Sequence, residues 1–142
     1  MKIQNILIVL LLICFSSCKK NNKKNPIPNV SFDITINVNL PSYNALIGVG
    51  GWCYVEGGVK GIIVYRKSID QFVAFDRRSP MDEEGTCATA LTPETDSFLQ
   101  LLDACSGAKF SLLDGSAISG SEYGLRQYQT VWDGSNLLRI FN

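Results

Sequence analysis

Five cysteines and thirteen acidic side chains are the residues of this 142-residue chain best equipped to bind a metal, pass electrons or serve as nucleophile and base. Histidine is absent, so neither a Ser-His-Asp triad, nor a His-Glu-x-x-His zinc site, nor a Cys/His zinc finger can be assembled from it. The acids at Asp82, Glu83 and Glu84, with Asp103, carry oxygen donors suited to a hard cation such as calcium. Their spacing matches no calcium loop, and they read as a solvated acidic turn. No two acids are placed by sequence at the separation that glycoside hydrolysis needs. Gly48, Gly50, Gly51, Gly57, Gly58 and Gly61 crowd one stretch. They lack both a following Gly-Lys-Ser/Thr and a Gly-x-Gly-x-x-Gly opening a helix, so they read as turns between short strands rather than a phosphate cradle. Trp52, Trp132 and Tyr128 read as core or half-buried strand residues, with a sugar-stacking platform as the alternative.

The N-terminus addresses the chain before any fold begins. Lys2 precedes an apolar run of ten residues, Ile6 to Phe15. A stable bilayer span takes about 20 residues, and this length suits a signal-peptide core. Ser16 and Ser17 then precede Cys18, an arrangement that resembles the lipobox of bacterial lipoproteins, with Phe15 in place of the usual aliphatic residue. The resemblance implies cleavage of residues 1–17 and lipidation of Cys18. Two or three acyl chains, palmitate among them, at about 0.8 kcal/mol per buried methylene would hold the protein on a membrane. The expected location is therefore the bacterial cell envelope, facing the periplasm or the cell surface. Residues 19–29 hold four lysines, four asparagines, two prolines and one isoleucine. Residues 18–30 are accordingly expected to be a lipidated cysteine and a flexible solvated tether. From Val30 onward there are eight bases against thirteen acids, a net charge of −5, which argues against a nucleic-acid partner.

Residues 31–142 carry the pattern of a β domain. Phe32, Ile34, Ile36, Val38 and Leu40 alternate with polar residues, a period of two that predicts a half-buried strand closed by Pro41-Ser42. Strands are predicted at Ile62–Arg66 and Gln71–Asp76, then a polar loop from about Arg77 to Asp96, then strands at Phe98–Leu102 and Lys109–Leu113. Helical periodicity competes only over Thr95–Cys105. Gln127–Trp132 and Leu137–Phe141 flank Asp133-Gly134-Ser135-Asn136, a hairpin with a strong turn signal. Short strands at such intervals predict an all-β sandwich or barrel.

Residues 61–142 resemble the Rieske iron–sulfur domain, particularly the small versions found on bacterial lipoproteins. The resemblance is carried by Gly61-Ile62-Ile63-Val64-Tyr65, by Phe72-Val73-Ala74-Phe75-Asp76-Arg77, and by the spacing of Gly107, Phe110, Gly115, Gly120, Leu125 and Tyr128. It implies a fold of stacked antiparallel sheets, with a small ligand-loop subdomain at residues 77–111 on a larger base built from 31–76 and 112–142. In that family the loops supply Cys-x-His and Cys-x-x-His. In this register the first loop has Ser79 at the cysteine position and Met81 at the histidine position. The second has Asp103 and Ser106 at the corresponding positions. A Rieske centre needs two thiolates and two imidazoles, so the resemblance implies a degenerate, clusterless member with no resident cofactor or metal.

Some Rieske domains tie the two loops with a disulfide, and the resemblance places Cys87 and Cys105 as that pair. Asp82-Glu83-Glu84-Gly85-Thr86 is an apparent insertion before Cys87. In an oxidising envelope the pair should be bonded. Cys53 is left over and reads as a buried free thiol, with pairing to Cys87 or Cys105 as the alternative. The expected function is non-enzymatic: a membrane-anchored envelope lipoprotein with a binding or structural role toward another envelope protein. Electron transfer through a 2Fe–2S centre with unorthodox ligands is one alternative, and thiol–disulfide exchange by Cys87 and Cys105 is another.

Overall fold

The structure, a computed structural model, describes residues 24–142. The expected signal peptide, the lipidation site Cys18 and the first residues of the tether lie outside the described residues. Ten strands are described, β1 (Asp33–Asn37), β2 (Trp52–Val55), β3 (Ile62–Arg66), β4 (Phe72–Asp76), β5 (Thr92–Glu94), β6 (Ser97–Leu102), β7 (Lys109–Ser111), β8 (Ala117–Ser119), β9 (Gln127–Trp132) and β10 (Leu137–Phe141). They form a six-stranded sheet in the order β1-β10-β9-β4-β3-β2 and a four-stranded sheet in the order β5-β6-β7-β8. Every pairing is antiparallel. The fold is all-β, as the strand pattern predicts, with the two sheets stacked.

The central strands β3 and β4 are apolar at nearly every position because both of their faces are covered. One face, with Val64, Phe72 and Ala74, packs with Ile36, Leu138 and Ile140 from β1 and β10. The other, with Ile63, Tyr65, Val73 and Phe75, packs on Leu101, Phe110 and Leu112 of the smaller sheet region. A strand with one wet face alternates; one buried on both faces does not. Strand β1 has the alternation of an edge, and Phe32 just before it meets Tyr128 edge-on at 4.6 Å between ring centroids. The final hairpin forms as expected. Its turn is fastened by Asp133 Oδ1, which accepts from the amides of Ser135, Asn136 and Leu137 at 2.8–3.0 Å.

One element lies outside the expectations, and three expectations need correction. The segment after Pro41 is a 3-10 helix, Pro41–Ile47, which buries Leu46. The loop expected over 77–96 contains β5, paired with β6, whereas the strand expected at 98–102 within the ambiguous stretch 95–105 does form, as β6. The smaller layer also runs past residue 111, because Gly115 turns the chain at a φ of 72° and β8 pairs back onto β7. Finally, the tether expected through residue 30 stops earlier. Ile27 is buried, Asn25 donates to the Gly124 carbonyl at 2.9 Å, and Arg126 Nε donates to the Ile27 carbonyl at 3.0 Å. One isoleucine between two prolines suffices to dock, because the domain supplies both the pocket and the hydrogen bonds. Among the described residues no helix is long and apolar enough to cross a membrane.

Candidate functional site

Two loops meet at the end of the domain where β4 and β6 finish. The first, residues 77–91, leaves β4 at Asp76. Backbone bonds pin it at both ends, from Arg77 N to Gly61 O at 2.9 Å and from Leu91 N to Arg77 O at 2.8 Å. Inside it, Asp82 is not the solvated acid that its neighbours suggest. It is buried, its Oδ2 lies 2.9 Å from Lys60 Nζ, and its Oδ1 accepts the Cys87 amide at 3.0 Å. The Arg78 guanidinium donates to the Asp82 carbonyl, and Lys60 Nζ also donates to the Cys87 carbonyl. Burial pushes the Asp82 carboxyl up, yet Lys60, the Cys87 amide and Arg78 together hold it below the usual carboxylate value. Glu83 and Glu84 are exposed.

The second loop, between β6 and β7, is organised by Asp103. Its backbone bonds Ala108 and Gly107, with Gly107 at a φ of 76° that favours glycine. Its carboxylate is buried and accepts the Cys105 amide at 2.9 Å and the Ser106 hydroxyl at 2.6 Å. The hydroxyl of Ser79, from the first loop, completes the set. Desolvation raises the Asp103 pKa, but the bonds from Ser106, Ser79 and the Cys105 and Ser106 amides outweigh it, and the net shift is downward. Ser79 is itself buried and accepts the Met81 amide at 3.1 Å.

The four positions singled out in the sequence, Ser79, Met81, Asp103 and Ser106, therefore do converge. Three are joined by hydrogen bonds centred on one carboxylate, and Met81 stands half-exposed on the rim of a cleft of about 330 Å³. Cys87 and Cys105 line the same cleft and are bonded to each other, with Cα atoms 6.1 Å apart. The Thr89 hydroxyl lies 3.3 Å from Cys87 Sγ and 3.6 Å from Cys105 Sγ. Cys53 is a free thiol buried on β2, and its burial pushes its pKa to about 11.

Sequence reasoning passed over a second polar cluster just behind the first loop. Asp76, fully buried at the end of β4, accepts the Tyr128 hydroxyl and the Val59 amide at 2.6 Å each, and the Arg78 amide at 2.7 Å. It ties the turn at 57–60, the first loop and β9 together. The signal was an aspartate closing the otherwise apolar run Phe72-Val73-Ala74-Phe75. Lys60, the partner of Asp82, was hidden in the glycine-rich turns.

No protein-family model matches this chain, and no curated protein does. The solved structures include a similar one, the NMR structure of the E. coli protein NirD, at 17% identity and a TM-score of 0.44 over 80% of this chain and 98% of that one.

Proposed function

We propose that the protein is a bacterial envelope lipoprotein, anchored by lipid on Cys18, whose β domain is a clusterless relative of the Rieske iron–sulfur domain. It serves as a binding or structural module for another envelope protein. The observation that carries this reading is the hydrogen-bonded set of Ser79, Asp103 and Ser106, with Met81 beside it. These are the positions at which the resemblance puts cluster ligands. Their donors do not fit the cluster: two hydroxyls, a thioether and a carboxylate replace two thiolates and two imidazoles. The carboxylate and hydroxyls satisfy one another across the two loops, and the disulfide holds those loops together covalently.

Iron and acid-labile sulfide are the test, measured with a visible spectrum on the anaerobically purified full chain. A folded, colourless protein without iron is the expected result. About two irons per chain with a charge-transfer spectrum would overturn the reading. The anchor is tested separately: Cys18→Ala is expected to move the protein from the detergent phase to the aqueous phase. A second reading, thiol–disulfide exchange, draws on the exposure of Cys105 at the cleft. A disulfide potential well below about −300 mV would mark the bond as structural.

A further inference from the structure

The Cys87 and Cys105 sulfurs and a carboxylate oxygen of Asp103 all lie within 4.8 Å of one another. That is the composition of a soft-metal half-shell, in two thiolates and one carboxylate, currently closed by the S–S bond. Tetrahedral zinc, with bonds of about 2.3 Å to sulfur and about 2.0–2.2 Å to oxygen, places its donors roughly 3.5–3.8 Å apart. Once the S–S bond breaks, the two sulfurs need only separate by rotamer adjustment to reach that spacing.

The backbone on each side is held by groups other than the disulfide. Cys87 is fixed by its amide on Asp82 and its carbonyl on Lys60. Cys105 is fixed by its amide on Asp103, so one short turn presents a sulfur and a carboxylate together. Breaking the bond therefore leaves both cysteines in place. Cys105 is exposed and Cys87 half-buried, so a reductant and an ion can both reach them.

We propose that reduction of the Cys87–Cys105 disulfide opens a site for one thiophilic divalent cation of the zinc type, held by both Sγ atoms and the Asp103 carboxylate, with water in the remaining position. A dithiol supplies two electrons and two protons, is itself oxidised to a disulfide, and leaves two thiols here. The cation then displaces those two protons to water. Lys60 and Arg78 share the one Asp82 carboxylate, and the net positive charge of that group on the adjoining loop offsets the single negative charge of the filled site. The proposal rests on the geometry of this pair and not on the family resemblance, so iron analysis and the experiment below can fail independently.

The test uses the full chain with Cys14→Ser, Cys18→Ser and Cys53→Ala, reduced, desalted anaerobically and titrated with Co²⁺. One Co²⁺ per chain is expected, with a near-ultraviolet thiolate charge-transfer band and the visible bands of tetrahedral cobalt, all lost on adding Zn²⁺. The oxidised protein is expected to show none of these bands. Asp103→Asn is expected to weaken Co²⁺ binding by about tenfold or more. Absence of the band in reduced, folded protein would overturn the proposal, as would unchanged affinity in folded Asp103→Asn. Should that variant unfold, zinc-edge absorption of the reduced parent decides: two sulfurs with oxygen support the site, and an all-oxygen shell sinks it.

Discussion

The Tyr128 hydroxyl donates a 2.6 Å hydrogen bond to Asp76 Oδ2 across the β4–β9 pairing, and both side chains are buried. Burial and the adjacent carboxylate both raise the Tyr128 pKa, so the phenol stays a donor throughout the accessible pH range. Tyr128→Phe leaves a buried acceptor short of one partner. The expected cost is about 1–3 kcal/mol, read as a lower urea midpoint at unchanged slope.

Gly58 is the position that lets this cluster close. Its φ is +63°, and a Cβ there would sit 2.4 Å from Asp76 Oδ2 and 2.8 Å from the Tyr128 hydroxyl oxygen. Gly134 provides the control, since it has a φ of +82° but nothing within 4 Å of an added Cβ. Both alanine variants carry the left-handed backbone cost of roughly 1–3 kcal/mol. Gly58→Ala additionally disrupts the Asp76 hydrogen bonds, so it is expected to be the more destabilising by a further ~1–3 kcal/mol. Equal midpoints would show that the cluster accommodates the methyl group.

What the sequence made legible follows the physics of each element. The hairpin around Asp133-Gly134 and the strands at 62–66 and 127–132 were readable because turn chemistry and apolar patterning act locally. The strands Thr92–Glu94 and Ala117–Ser119 were not, since each is three residues long and exists by pairing with a partner strand. The convergence of Ser79, Met81, Asp103 and Ser106 could be expected only through a resemblance. The roles of Asp82 and Lys60 could not be expected at all, because their contact spans 22 residues and depends on how two loops are laid together. Composition alone places Ile27 in a tether, because it describes the segment and says nothing of the pocket that receives it.

The Cys87–Cys105 bond spans 18 residues and joins the two loops. In the chain-entropy model a loop of this size contributes about 3 kcal/mol. The double variant Cys87→Ala/Cys105→Ala is expected to lose about that much in equilibrium denaturation while keeping the β spectrum of the parent. An unchanged midpoint would place the value of the bond in chemistry rather than in stability.

Acid should loosen the same loops. Asp103 and Asp82 both have folded pKa values below the ordinary carboxylate value of 3.8. Each therefore binds fewer protons folded than unfolded near that pH, and stability rises with pH there. The contribution is fully present above about pH 4–5 and is lost as pH falls through the folded values. Amide exchange at Cys87 and Cys105, corrected for intrinsic rates, is expected to accelerate below that range. Asp103→Asn should flatten the pH dependence at Cys105 and Asp82→Asn that at Cys87, since each carboxylate accepts that residue's own amide. Parallel behaviour at β3 amides would mean global unfolding instead.

Ile27 is 2% exposed although its immediate neighbours are Asn25, Pro26, Pro28 and Asn29. Its side chain and the hydrogen bonds of Asn25, Arg126 and Asn142 hold residues 25–30 against the domain. The segment's bonds run to Gly124, Arg126 and Asn142, which flank β9 and β10 rather than lying within them, so its loss should be local. Ile27→Ala removes a buried aliphatic side chain worth about 2 kcal/mol or more, which corresponds to about a thirtyfold rise in local opening. Hydrogen exchange is expected to rise by that factor at the Ile27 amide, which donates to Asn25 Oδ1, with the amides of β3 and β4 unchanged. Full protection retained in Ile27→Ala would mean that the hydrogen bonds alone dock the segment, and Arg126→Ala would then be the variant that frees it.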